Sequence, residues 1–352
     1  MYPIAWERHN FTVQDVTTNN PDFTELVSVD IWPPVGSTLL PANAPVIHFQ
    51  PGLRCHSGDI PGSTAVRRAY MAGYRSVVFN RRGHGHVPGV GHVPLTSPRF
   101  NLFGDTGDLE QAYHFTRNLL PPDTDFYLYG VSSGTAVTVT ALGIWGERLS
   151  DPALSPRERA RVPQFKAALT VVPGYDISSA LKEFRWPYTD VLLENVKSWF
   201  VRKNERVLRE FDSGLVDELL NATGLQEFVD KAYPFAGYET REEYYAKTNP
   251  VNLIHKIGTP QLIINAFDDP CSLPSNMHRA SPVPAHGGRT YAAVAAGSNS
   301  TVIAVTKSGS HCPFFDAADG LVIPDALQPG YMLDSWADSV MVEWFDAAGS
   351  LF

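Results

Sequence analysis

Gly130-Val131-Ser132-Ser133-Gly134 sets a hydroxyl between two glycines, directly after the apolar run Phe126 to Tyr129. A serine hydroxyl is a weak nucleophile until a base takes its proton. The five-residue pattern is short; its setting gives it meaning. A strand-like run precedes it and a helix-like run, TAVTVTALGIW, follows. A sharp strand-to-helix turn at that point forces the serine into a strained backbone conformation. It lifts the hydroxyl above the end of the strand, and the small flanking residues let neighbouring backbone come close. Ser132, at the centre, is therefore the candidate nucleophile. Ser133 is expected to lend its backbone N–H to an oxyanion hole.

Among eleven histidines, His311 is the candidate base. It follows the strand-like STVIAVT (Ser300 to Thr306) after the short turn Lys307-Ser308-Gly309-Ser310, and it precedes a helical pattern. The orienting acid is sought in Phe267-Asp268-Asp269-Pro270, after the run LIINA. Such a carboxylate holds the imidazole tautomer and stabilises the imidazolium. Asp269 is favoured and Asp268 is the alternative, one turning inward and the other bonding within its loop. The chain order serine, acid, histidine is one of those on which this chemistry is built. The second oxyanion donor is expected from Gln50-Pro51-Gly52-Leu53-Arg54, with Leu53 the choice.

Positioning these groups requires a sheet whose strands end together. VIHF (Val46 to Phe49), SVVFN (Ser76 to Asn80), FYLYG (Phe126 to Gly130), AALTVV (Ala167 to Val172), PQLIINA (Pro260 to Ala266) and STVIAVT read as short buried strands. Helical patterns at Thr64 to Ala72 and Asp105 to Leu119 separate the first three. That grammar predicts a mostly parallel sheet covered on both faces. Near the end, DSWADSVMVEWFDA predicts an amphipathic helix with Trp336, Val340 and Trp344 against the sheet. His84 to Arg99, rich in proline and glycine, reads as a loop. The stretch from Ser178 to Asn249 carries helical spacing and no strand. It reads as a helical insertion over the carboxyl edge of the sheet, where open α/β sheets bind ligands. The expected division is a first part of the core over 1–177, a cap over 178–250 and a second part of the core over 251–352. Phe184, Trp186, Tyr188, Trp199 and Phe200 are candidates to line a pocket under the cap.

With 352 residues and 43% hydrophobic content, the chain has ample material for one large domain with an insertion. A net charge of -9 argues against a nucleic-acid partner. Cys55, Cys271 and Cys312 are too few for a disulfide scaffold, so the reducing cytoplasm is the expected location. No signal peptide and no transmembrane segment is read. There is no H-E-x-x-H and no phosphate-binding glycine loop after the first strand, so neither metal nor cofactor is expected. His84, His86 and His92 lack a carboxylate at ligand spacing. The expected partner is a small-molecule ester, and a homodimer is the generic form for a soluble enzyme that associates.

Several stretches beyond the serine turn carry a family resemblance. QPGLRCHSGD, FNRRGHG, TSPRFNLFGDTGDLEQA, REFDSGL, GYETREEYYAKTNPVNLIHKIGTPQLIINAFDDP and SGSHCPFF together run from about residue 45 to 315. As a set they resemble the α/β-hydrolase subfamily that includes bacterial YheT-type hydrolases, plant embryogenesis-associated proteins, animal membrane-anchored α/β-hydrolase-domain lipases and yeast medium-chain alcohol acyltransferases. Departures are Arg54-Cys55-His56, where small residues are usual, Cys312-Pro313, where glycine commonly follows the histidine, and the missing N-terminal anchor. The resemblance implies an α/β-hydrolase fold with a helical cap. It implies carboxylic-ester hydrolysis of short- or medium-chain acyl esters through an acyl-enzyme on Ser132. Acyl transfer to an alcohol, or hydrolysis of monoacylglycerols or phospholipids, is the alternative. It also implies that Asp105 pairs with Arg81 or Arg82.

Overall fold

A computed structural model describes residues 4–18, 20–59, 62–87, 91–312, 314 and 335–351. Pro88, Gly89, Val90, Pro313, Phe315 and Asp334, which belong to segments read above, lie outside the described residues.

The frame is an eight-stranded sheet among the described residues. Its strands are β1 (Glu7–Val13), β2 (Glu25–Trp32), β3 (Val46–Gln50), β4 (Arg75–Asn80), β7 (Phe126–Val131), β8 (Ala167–Val171), β9 (Gln261–Ala266) and β10 (Thr301–Thr306). The two-residue strands β5 (His86–Val87) and β6 (Gly91–His92) pair apart from it. Spatial order is β1-β2-β4-β3-β7-β8-β9-β10. β1, β2 and β4 pair antiparallel, and every later pairing is parallel. The six strands read from sequence lie within a residue or two of their expected bounds. β3, β4, β8 and β9 are buried at every position, as strands covered on both faces must be.

The antiparallel pair β1 and β2 was not expected from the sequence. β2 buries Glu25, Ser28 and Asp30 among its apolar residues, and distant partners satisfy them. Asp30 takes a bidentate bond from Arg8 at 2.7 and 2.6 Å. Glu25 accepts from the backbone and hydroxyls of Thr96 and Ser97.

Four helices brace the sheet near the site. α1 (Gly62–Met71) and the helix Trp336–Leu351 cover one face, and α2 (Thr106–Leu119) and α3 (Gly134–Ser150) the other. Asp105 caps α2 by accepting from Gly107 and Asp108 N–H. In the helix Trp336–Leu351 the inward stripe is Ala337, Met341, Phe345 and Ala348, one residue later than the expected one. Trp336 is 37% exposed, and Trp344 flanks the stripe with its indole N–H on Ala168 O at 2.9 Å. The expected pairing of Asp105 is also corrected. Asp105 meets Arg99 at 2.7 Å, whereas Arg82 takes Asp108 at 2.6 Å.

Between β8 and β9 the chain runs through α4 (Ile177–Glu183), α5 (Tyr188–Val196), α6 (Glu205–Asn221), α7 (Leu225–Lys231) and α8 (Arg241–Thr248). These helices share a core of their own, with Leu208, Val216, Leu219 and Phe228 fully buried. That core joins the main domain through Phe100, Leu102 and Ala136.

Candidate active site

Ser132 stands where β7 gives way to α3, at φ +52°, a left-handed conformation unusual for a side-chain-bearing residue. Its N–H bonds to Val171 O at 3.0 Å, which ties the turn to the end of β8. Glycine at 134 is a packing requirement, because a methyl there would run into the carbonyl oxygens of Gln50 and Pro51. A methyl on Gly52 would come within 3.3 Å of the Ser132 Cβ, so the loop after β3 lies directly against the serine.

Ser132 Oγ lies 2.8 Å from His311 Nε2. His311 Nδ1 lies 3.0 and 2.9 Å from the two carboxylate oxygens of Asp269, which is completely buried. Asp269 is itself held by backbone: its Oδ1 accepts from Cys271 N at 2.7 Å and Ser272 N at 2.9 Å. Asp268 turns the other way, and its Oδ1 accepts from Gly309 N at 2.9 Å and Ser310 N at 2.8 Å. One aspartate meets the imidazole and its neighbour pins the loop that carries it.

Burial disfavours the His311 imidazolium, but the adjoining Cys312 and Asp269 favour it and win, so its pKa stands well above the ordinary histidine range. Burial pushes the Cys55 and Cys271 thiols up to about 11, so both are protonated at neutral pH and are poor nucleophiles. All three cysteines are free. Among the described residues, one group could offer three metal ligands, Asp269, Cys271 and His311. Two of its members are the acid–base pair just described. His84, His86 and His92 do not converge on a common point for an ion. His84 is buried under Phe200, and His86 stacks on His56 at 4.1 Å.

The serine opens into a cavity of about 750 Å³. Leu53 and Ser133 line it, and neither backbone N–H has an acceptor among the described residues. Its walls include Leu102, Ile177, Leu181, Leu225 and Val229 from the core shared with the cap, and Phe49, Val66, Val78 and Tyr129 from the core beside the sheet. Of the five aromatic residues expected in the wall, Phe184 and Tyr188 are there. Trp186 is corrected: it is 79% exposed and points to solvent. Trp199 and Phe200 are corrected too, because they belong to the buried cap core. Trp199 donates to Gly83 O at 2.6 Å, and Phe200 packs on Phe100 and His84. The aliphatic walls went unread because helical spacing alone does not tell which buried face of a cap meets the core and which meets a void.

Comparison with known proteins agrees with this architecture. The chain is 27% identical over 308 residues to monoacylglycerol lipase ABHD2 of Danio rerio, covering 84% of this chain and 62% of that protein. It is 28% identical over 232 residues to phospholipase ABHD3 of Bos taurus, covering 64% of this chain and 50% of that protein. The chain thus spans between half and two thirds of the length of these relatives. Est1E of Butyrivibrio proteoclasticus, solved with ferulic acid, has a TM-score of 0.52 at 12% identity, covering 92% of this chain and 96% of that one. A lipase/esterase from Lactobacillus plantarum has a TM-score of 0.51 at 14% identity, covering 98% and 100%. At such identities the likeness is one of fold. The narrower subfamily read from the motifs, with its membrane-anchored lipases, is corrected to the broader family, since no helix among the described residues is long and apolar enough to cross a membrane. The family model described as the alpha/beta hydrolase family matches residues 49–323, and the chain belongs to that family.

Proposed function

We propose that the protein is a serine hydrolase that cleaves carboxylic esters through an acyl-enzyme on Ser132. The observation that carries this reading is the continuous path from Ser132 Oγ through the His311 imidazole to Asp269, with contacts of 2.8 and 2.9 Å.

In the first step His311 Nε2 takes the Ser132 proton as the oxygen attacks the ester carbonyl. Asp269 holds the proton of Nδ1 and stabilises the imidazolium. The N–H groups of Leu53 and Ser133 receive the oxyanion, and His311 then protonates the departing alcohol. Water activated by the same histidine releases the acid. The mostly apolar walls around Ser132 favour esters that carry an apolar group. The relatives' names, monoacylglycerol lipase and phospholipase, point to glycerolipid esters as one class worth assaying.

Hydrolysis of a p-nitrophenyl ester series from acetate to palmitate, on wild type and Ser132→Ala, tests the reading. The expected result is activity peaking at one acyl length and abolished by the substitution. Activity that survives in Ser132→Ala overturns it.

A further inference from the structure

Arg81 follows the end of β4 and is 3% exposed. Its neighbours in kind are buried with acids, Arg82 with Asp108 and Arg99 with Asp15 and Asp105. Arg81 has no carboxylate partner among the described residues. Its Nη2 donates to Pro51 O at 2.9 Å, to Gly52 O at 3.3 Å and to His84 Nε2 at 3.3 Å. Its Nε and Nη1 have no partner among the described residues. Burial lowers its pKa to about 10, which leaves it a cation at neutral pH. His84 is suited to its place as an acceptor. Its Nδ1 sits 3.0 Å from Arg82 O, so the proton belongs there and Nε2 offers its lone pair. Burial and the Arg81 charge hold the His84 pKa well below the ordinary range, so it stays neutral.

A buried guanidinium without a counter-ion opposes folding. Its use lies in what it touches. Pro51 and Gly52 form the loop packed against Ser132, and the Gly52 carbonyl belongs to the same peptide unit as the Leu53 N–H. A cation bonded to the oxygen of a peptide draws charge through it and makes its N–H a stronger donor. The same bonds turn two carbonyl oxygens toward the guanidinium and away from the place where negative charge develops.

We propose that Arg81 is a positioning residue of the oxyanion hole: it anchors the Pro51 and Gly52 carbonyls, polarises the Gly52–Leu53 peptide and stabilises the oxyanion with an uncompensated buried charge. The inference rests on the serine-hydrolase reading above.

Arg81→Met keeps the volume and removes both charge and donors. Three readouts separate a catalytic effect from a structural one: the rate at which a fluorophosphonate labels the protein, kcat and KM for a p-nitrophenyl ester, and affinity for a trifluoromethyl ketone, whose adduct carries the oxyanion. The labelling rate and kcat should fall about 10- to 100-fold, somewhat less than loss of a direct donor. Ketone affinity should fall in parallel while KM stays within about threefold. The thermal midpoint should hold or rise, because an unpaired buried charge is gone. Arg81→Lys, which keeps the charge and a donor, should recover part of the rate; if Arg81→Met does not fold, the ketone affinity of Arg81→Gln, which keeps a donor and loses the charge, takes its place and should fall likewise. Labelling, kcat and ketone affinity equal to wild type in the folded variant overturn the role of Arg81 and leave the hydrolase reading intact. No labelling of wild type overturns both.

Discussion

Replacing Asp269 by asparagine is the sharpest perturbation the geometry offers, because the surrounding bonds dictate how the new amide must sit. Oδ1 of Asp269 accepts two backbone N–H groups, from Cys271 at 2.7 Å and Ser272 at 2.9 Å. An asparagine must place its carbonyl oxygen there, since its NH₂ would set donor against two donors. That orientation leaves the NH₂ where Oδ2 now lies, 2.9 Å from His311 Nδ1. A donor at that distance opposes a proton on Nδ1, and the amide oxygen 3.0 Å from Nδ1 is already taken by two backbone N–H groups, so the proton moves to Nε2. The nitrogen facing Ser132 Oγ at 2.8 Å then has no lone pair for the serine proton. The shape is preserved and the tautomer is inverted. The expected loss is about 10⁴-fold in kcat, on the order of 5 kcal/mol in the barrier. Steady-state hydrolysis of the best p-nitrophenyl ester reads it, with a thermal melt to show that the fold is kept. Asp268→Asn is the control. Its Oδ1 accepts from Gly309 and Ser310 N–H, an asparagine oxygen can do the same, and kcat should stay within about threefold. A loss below about tenfold in Asp269→Asn, or a larger loss in Asp268→Asn, would refute the assignment of the acid.

Three further outcomes are expected. His311 must be neutral to act as base and its pKa is raised, so kcat/KM should climb with pH along a limb centred above about 6.5; Cys312→Ala removes one of the groups that raise it and should move that limb to lower pH, as a pH–rate profile would read. Gly134→Ala puts a methyl against the Gln50 and Pro51 carbonyl oxygens, both backbone, and should cost about 1–3 kcal/mol in denaturant unfolding together with most of the activity. Val229→Trp fills the cap side of the cavity and should shift the ester series toward shorter acyl chains while hydrolysis of acetate persists, as initial rates across the series would show.

The parallel strands and the serine turn could be read from the chain because local signals there agree with the global fold: short apolar runs, a glycine on each side of Ser132, and turn residues at the strand ends. β1 and β2 escaped because their pattern is broken by Glu25, Ser28 and Asp30, whose burial makes sense only once Arg8, Thr96 and Ser97 are placed beside them. The loop residues converging on Ser132 were legible as types in order. The division of work between Asp268 and Asp269 was open in the sequence, since adjacent residues in a loop have no periodicity to orient them. Helical spacing marked the cap aromatics as a set but could not sort Tyr188, in the cavity wall, from Trp186 in solvent and Phe200 in the cap core. Arg81 and Arg82 are alike in sequence, and only the fold gives one a carboxylate and the other the carbonyls behind the serine.

The most direct test of the account is to react the protein with a fluorophosphonate and locate the adduct by mass spectrometry of its peptides. The account predicts one adduct per chain, on Ser132, formed by wild type, absent in Ser132→Ala and strongly slowed in Asp269→Asn. An adduct on Ser133 or a cysteine, or one that persists in Ser132→Ala, would contradict it.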